Sequence, residues 1–136
     1  MQSKPTTDQI LLGIATELRD TVIPDLTSAP VRVLVEMMVQ LLEANARRSA
    51  HEIAWMLEEG SAIGAAAGRE LGTPASLHLT DVVEWYGRIS RVLSEGIEAA
   101  YGSGDADQIA TWRALIEARQ ANEAIVLGTL DLVGRG

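Results

Sequence analysis

The chain contains no cysteine and no phenylalanine, and its 136 residues include two histidines, His51 and His78, and a single lysine, Lys4. Without thiols there is no disulfide, no thiolate nucleophile, no iron–sulfur cluster and none of the usual structural zinc sites. Carboxylate di-metal bundles need Glu-x-x-His on two helices, because that spacing aims both side chains at one ion. Here Arg48 and Ala75 stand three residues before the histidines, so no metal is expected. Long apolar runs are missing too. Arg32, Glu36, Gln40 and Glu43 interrupt the most hydrophobic stretch at regular steps, well short of the ~18–20 apolar residues of a membrane span. The opening MQSKPTTDQILLG has too short an apolar core for a secretory signal. Together with the lack of cysteine, this leads us to expect a cytoplasmic protein.

Basic charge is scarce: 11 basic side chains against 19 acidic ones leave a formal charge of −8. The imbalance is even, with nine acids and five bases in residues 1–60 and ten and six in residues 61–136. No basic half exists to neutralise phosphates, so neither nucleic acid nor an anionic membrane surface is expected as a partner. Catalytic motifs are equally thin. There is no Gly-x-Ser-x-Gly elbow and no serine with an evident histidine base, and the glycine series lacks the Gly-Lys-Ser/Thr ending of a phosphate-binding loop. No catalytic residue and no cofactor is assigned. His51 with Glu52 or Glu43 is what an enzyme would have to draw on; adjacent helical positions point in different directions, and the pair reads as ordinary surface.

What the sequence has in abundance is helical periodicity. Ile10, Leu11, Ile14, Leu18 and Val22 predict a first helix from Thr7, with a capping hydroxyl, to Ile23, before Pro24. Ser28 and Pro30 mark the start of a second, running to Glu59 and ~45 Å long at 1.5 Å per residue. Val31, Val33, Leu34, Val35, Met37, Met38, Val39, Leu41 and Leu42 leave only a narrow polar line on its first half, which is expected to be a central helix covered on most of its circumference. Gly60, Gly64, Gly68 and Gly72 recur every fourth residue. Each costs ~1 kcal/mol relative to alanine inside a helix, so this segment is expected to be a short, mobile helix ended by Thr73-Pro74. A loop through Leu79 leads to Thr80 as N-cap of a third long helix carrying Val82, Val83, Tyr86, Ile89, Leu93, Ile97 and Ala100 and closed by Gly102. After a turn at Ser103-Gly104-Asp105, a last helix is expected from about Ala106 to Val133. The expected fold is all-α, a single domain over residues 1–136, with four long helices and one short glycine-rich helix in an antiparallel bundle.

Two sets of residues stand out against this pattern. Asn45 and Ser49 continue the Val31, Val35, Met38, Leu42 series, and Arg119 and Asn122 lie in line with Leu115 and Val126. Polar groups facing an interior must find partners, either one another, fixing helix register, or a ligand in a pocket at their junction. Trp85 neighbours Tyr86 on one helix, so one of them faces away from the core stripe. Trp85, Trp55 and Met56 are therefore the candidates for a protein interface. A helix apolar almost all round also asks for more cover than a few flanking helices provide, which favours a homo-oligomer, with a dimer preferred.

Glu17-Leu-Arg-Asp-Thr-Val-Ile-Pro-Asp-Leu26 and Trp112-Arg-Ala-Leu-Ile-Glu-Ala-Arg-Gln-Ala-Asn122 resemble a family of small helical bacterial proteins of unknown function. Members are encoded beside, or fused to, aminoglycoside-phosphotransferase-like kinases and often near acyl-CoA dehydrogenases. The order of elements is similar as well, including the long Ala/Leu-rich second helix with its internal Asn45. The resemblance implies an accessory role next to a kinase-like or acyl-CoA enzyme and supplies no catalytic residues. Gly60 to Thr80 departs from it. Two functional expectations follow: a non-catalytic interaction module that self-associates, or a small-molecule-binding bundle with an internal polar pocket. An enzyme using His51 is a distant third.

Overall fold

The computed structural model describes residues 4–128, and all regular structure among them is helical, with no strand. The all-α expectation holds. No helix among the described residues is long and apolar enough to cross a membrane. The chain divides into two compact units, Met1–His51 with Ala124–Gly136, and Glu52–Glu123.

In the first unit, helix α1 spans Thr7–Glu17, and its N-cap is Thr6, one residue earlier than expected. The Thr6 amide donates to Gln9 Oε1 at 3.1 Å, so one of the amides that a helix start leaves unpaired is satisfied. The helix does not stop before Pro24. It widens into a π-helical turn at Leu18–Val22, where the Ile23 amide bonds to the Leu18 carbonyl, and continues as the short α2, Ile23–Asp25. Proline lacks an N–H and its ring crowds the carbonyl four residues back, and a wider turn makes room for it. Helix α3, Ala29–Ala67, follows a short link anchored by the Arg32 guanidinium, which donates to the Leu26 carbonyl at 2.8 Å. Arg19 pairs with Glu43. Arg47 reaches the end of helix α5, Ala106–Leu127, donating from Nε to the Val126 carbonyl at 2.9 Å and from Nη2 to that of Leu127 at 3.2 Å. A cation on these terminal carbonyls both caps them and opposes the helix dipole. Gly128, at φ +65°, turns the chain out of the helix here. The expected continuation of this helix to Val133 lies outside the described residues beyond that point.

The second unit shows that the glycine-rich segment is not a helix of its own. Gly60 and Gly64 belong to the last turns of α3, and the helix ends at Ala67 because Gly68 adopts a left-handed φ of +64°. The Arg69 amide bonds to the Gly64 carbonyl at 3.1 Å and the Gly68 amide to that of Ala65 at 3.2 Å. This pair of bonds is the Schellman termination that glycine favours. Helix α4 runs from Leu79 to Ser103 with His78, not Thr80, as its N-cap. Ser76 Oγ donates to Asp81 Oδ2 at 2.6 Å and accepts from the His78 amide at 3.1 Å, which ties the preceding loop to the helix start. Gly104, at φ +72°, ends α4, and Asp105 Oδ1 accepts from the Asp107 and Gln108 amides to start α5.

Two glycine–tryptophan seats organise the core of this unit, which contains Ile63, Trp85, Ile89, Leu93, Ala100 and Trp112. A Cβ built on Gly60 would lie 2.1 Å from the Trp85 ring, and one built on Gly96 would lie 2.3 Å from the Trp112 ring. Each indole thus packs directly against the bare backbone at a glycine of the preceding helix. Such contact is far inside the 3.5–4.0 Å of ordinary carbon packing, so only glycine fits. Trp112 meeting Gly96 and Arg119 meeting Ser90 place α5 antiparallel to α4.

Candidate functional site

The polar residues of the second unit converge on Glu59 of α3. Its Oε1 accepts from Arg119 Nε at 2.7 Å, and its Oε2 accepts from the Tyr86 hydroxyl at 2.5 Å. Arg119 also donates to Ser90 Oγ at 3.3 Å and stacks its guanidinium 5.4 Å from the centre of the Tyr86 ring. The Glu59 side chain is 11% exposed. Burial, aided by the Glu59 carboxylate, pushes the Tyr86 phenol up to about 12. Burial, the largest single effect, would lower the Arg119 guanidinium, and the hydrogen bonds and charge interactions with Glu59 and Tyr86 together outweigh it, so the group is held above its ordinary value. Every member has a partner. The cluster behaves as an internal clamp across three helices.

Of the four residues expected to line a pocket, Arg119 therefore finds its partners in Glu59 and Ser90, and Asn122 is half-buried in the same unit. Asn45 and Ser49 belong to the first unit and are exposed there. Each bonds to its own helix, Asn45 Nδ2 to the Leu41 carbonyl at 2.7 Å and Ser49 Oγ to the Ala46 carbonyl at 3.0 Å. The open groove in the second unit is elsewhere. It measures about 740 Å³ and is lined by Leu57, Gly60, Ser61, Gly64 and Ala65 of α3, by residues 68–74 and by Trp85.

Among the expected interface residues, Trp85 is corrected by its burial: it is 4% exposed, because Gly60 leaves room for its ring and the Gly72 carbonyl accepts its Nε1–H at 3.2 Å. Trp55 and Met56 are half-buried on α3. His51 is exposed. Glu43 is engaged by Arg19 and lies eight residues, ~12 Å along the helix, from His51, so the two form no dyad. No group of three or more potential metal ligands occurs among the described residues.

The surface that sequence reasoning missed is on the first half of α3. That helix is not covered on most of its circumference: Val31, Leu34, Met37, Met38 and Leu41 are 43–63% exposed. Among the described residues of the first unit the buried side chains are Ala15, Val39, Ala46 and Val126, none larger than valine. The signal was present in the spacing. Val31, Leu34, Met38, Leu41 and Asn45 follow one another at steps of 3, 4, 3 and 4, the heptad rhythm of a helix seam made for another helix.

No family model, no curated protein and no solved structure matches the chain.

Proposed function

We propose that this protein is a non-catalytic, self-associating helical interaction module whose working surface is the apolar face of the first unit. Its helices would complete an antiparallel bundle of the kind expected from the short links. The observation that carries this reading is the contrast between buried and exposed side chains. Among the described residues of the first unit, twelve large apolar side chains are at least 36% exposed while nothing larger than valine is buried. At about 100 Å² for a fully exposed aliphatic side chain, twelve roughly half-exposed ones offer about 600 Å². One side of a standard interface, about 800 Å² and about 60% apolar, needs about 480 Å² of such surface.

The family resemblance supplies a candidate for a further partner, a kinase-like or acyl-CoA enzyme, beside which the module would act as an accessory. Replacing both Leu34 and Leu41 by glutamate tests the reading. An interaction face accepts the charges, so the emission of the buried Trp85 and Trp112 is retained and binding of an apolar dye falls. Loss of the native tryptophan emission would show these leucines to be internal and would refute the proposal.

A second reading rests on the groove beside Trp85, whose volume suits a small molecule. A ligand seated there would change Trp85 emission in titrations with small apolar compounds. An unchanged signal across the series would remove this reading.

A further inference from the structure

Resting on the interaction-module reading, we infer that the occupant of the exposed α3 face is a second copy of this chain, paired along Val31, Leu34, Met38, Leu41 and Asn45. Three observations converge on that partner. The first is register: 3-4-3-4 spacing keeps one narrow stripe facing a neighbour over four turns, and in the structure the stripe is open, with Leu34 at 52% and Leu41 at 63% exposure. The second is charge. The chain carries −8 overall, yet no ionisable side chain stands on the stripe, and Glu36 and Glu43 lie off it, Glu43 already paired with Arg19. A like-charged copy can approach only through such a neutral face, and a basic partner would find nothing on it to bind. The third is Asn45. It ends the apolar run at a seam position and is exposed, its amide donating to the Leu41 carbonyl of its own helix. A single seam asparagine is the device by which paired helices choose one register over slipped ones.

Met38 is the midpoint of the stripe, so full overlap brings the two copies of this residue together whether the helices run parallel or antiparallel. The chain lacks cysteine, so Met38→Cys introduces a single thiol and any cross-link through it joins two chains. The experiment measures mass by sedimentation equilibrium from 1 to 100 µM for the natural chain and for Leu41→Glu, with bismaleimide cross-linking of the Met38→Cys chain. The expected result is a mass of twice 14.6 kDa for the natural chain, a shift of at least tenfold in the dissociation constant for Leu41→Glu, and efficient cross-linking at Met38→Cys.

A dimer indifferent to Leu41→Glu and not cross-linked at Met38→Cys overturns the proposal, because copies then meet elsewhere. A monomer at 100 µM that binds an apolar dye, with the dye lost in Leu41→Glu, overturns the second copy as occupant, and self-association with it, and leaves only the interaction face standing. A monomer whose dye binding ignores Leu41→Glu overturns both readings. Should Leu41→Glu lose its helical circular dichroism, the cross-link decides alone: absent at 100 µM, it refutes the pairing.

Discussion

Alanine at Gly96 and alanine at Gly87 are the same change on the same helix, and the structure assigns them opposite signs. Both replace a glycine inside α4, which by helix propensity should stabilise by ~1 kcal/mol. Nothing lies within 4 Å of a Cβ at Gly87, so the gain there is kept. At Gly96 the new methyl would stand 2.3–2.5 Å from three atoms of the Trp112 ring, which is 5% exposed and fixed in the core. Overpacking of this kind costs ~1–3 kcal/mol, and a rigid buried indole puts the cost at the upper end. The net expectation is a loss of ~2 kcal/mol for Gly96→Ala and a gain of ~1 kcal/mol for Gly87→Ala, hence midpoints about 10 °C apart for a chain of this size. Thermal and urea unfolding, at one protein concentration and followed by tryptophan emission and circular dichroism, would measure the pair. A Trp112→Leu background adds a stricter demand, since removing the ring should turn Gly96→Ala from a loss into a gain. If both alanines stabilise equally with Trp112 present, the indole does not sit on Gly96 and the packing described for the second unit is wrong.

Four further outcomes follow from the clamp, the cap and the exposed histidine. In a Tyr101→Phe chain the phenolate absorbance reports Tyr86 alone and should rise near pH 12 rather than near the ordinary 10. Because the folded value is raised, the stability tied to this proton is complete below pH 10 and is lost as pH rises toward 12, and a normal titration would mean that Glu59 and burial do not act on it. Glu59→Ala leaves Arg119 and Tyr86 without their shared acceptor and should cost ~2 kcal/mol in urea unfolding, whereas a neutral result would dissolve the clamp. Arg47→Ala removes the donor to the last carbonyls of α5 and should lower stability by ~1 kcal/mol and speed amide exchange around Val126, with unchanged exchange counting against the cap. His51→Ala is expected to leave stability within ~0.5 kcal/mol, as an exposed position does.

Much of the helical order was legible because its signals are local. Ser28 and Pro30, Gly104 and Asp105 mark element ends through short-range hydrogen bonding, and the structure places ends beside them. The π-helical passage through Pro24 was not legible, since proline in a sequence signals an obstacle without showing how the preceding turn widens around it. The glycine series misled for a related reason. Helix propensity counted against Gly60 and Gly64, while their use depends on the Trp85 ring and the returning loop, a contact no local pattern encodes. Trp85 was misplaced by the same omission. Arg119 was recognised as a polar residue on an interior face, yet its partner Glu59 lies sixty residues away and periodicity does not pair distant residues. On α3 the apolar residues were read for how many there are, which suggested cover all round. Read for spacing, the 3-4-3-4 row separates an open seam from the rest of the helix.

Methionine oxidation offers the most direct test of the claim that the first unit's apolar face exists to be covered by a partner. Met37 and Met38 stand on that face at 56% and 45% exposure in the single chain, and Met56 on the same helix is half-buried and off the seam. With dilute peroxide and mass spectrometry, Met37 and Met38 should be protected relative to Met56 at 100 µM protein and should become the faster sites on dilution to 1 µM. Oxidation of Met37 and Met38 that is faster than Met56 and independent of concentration would contradict the account, because the face would then stay open under the conditions in which it should be closed.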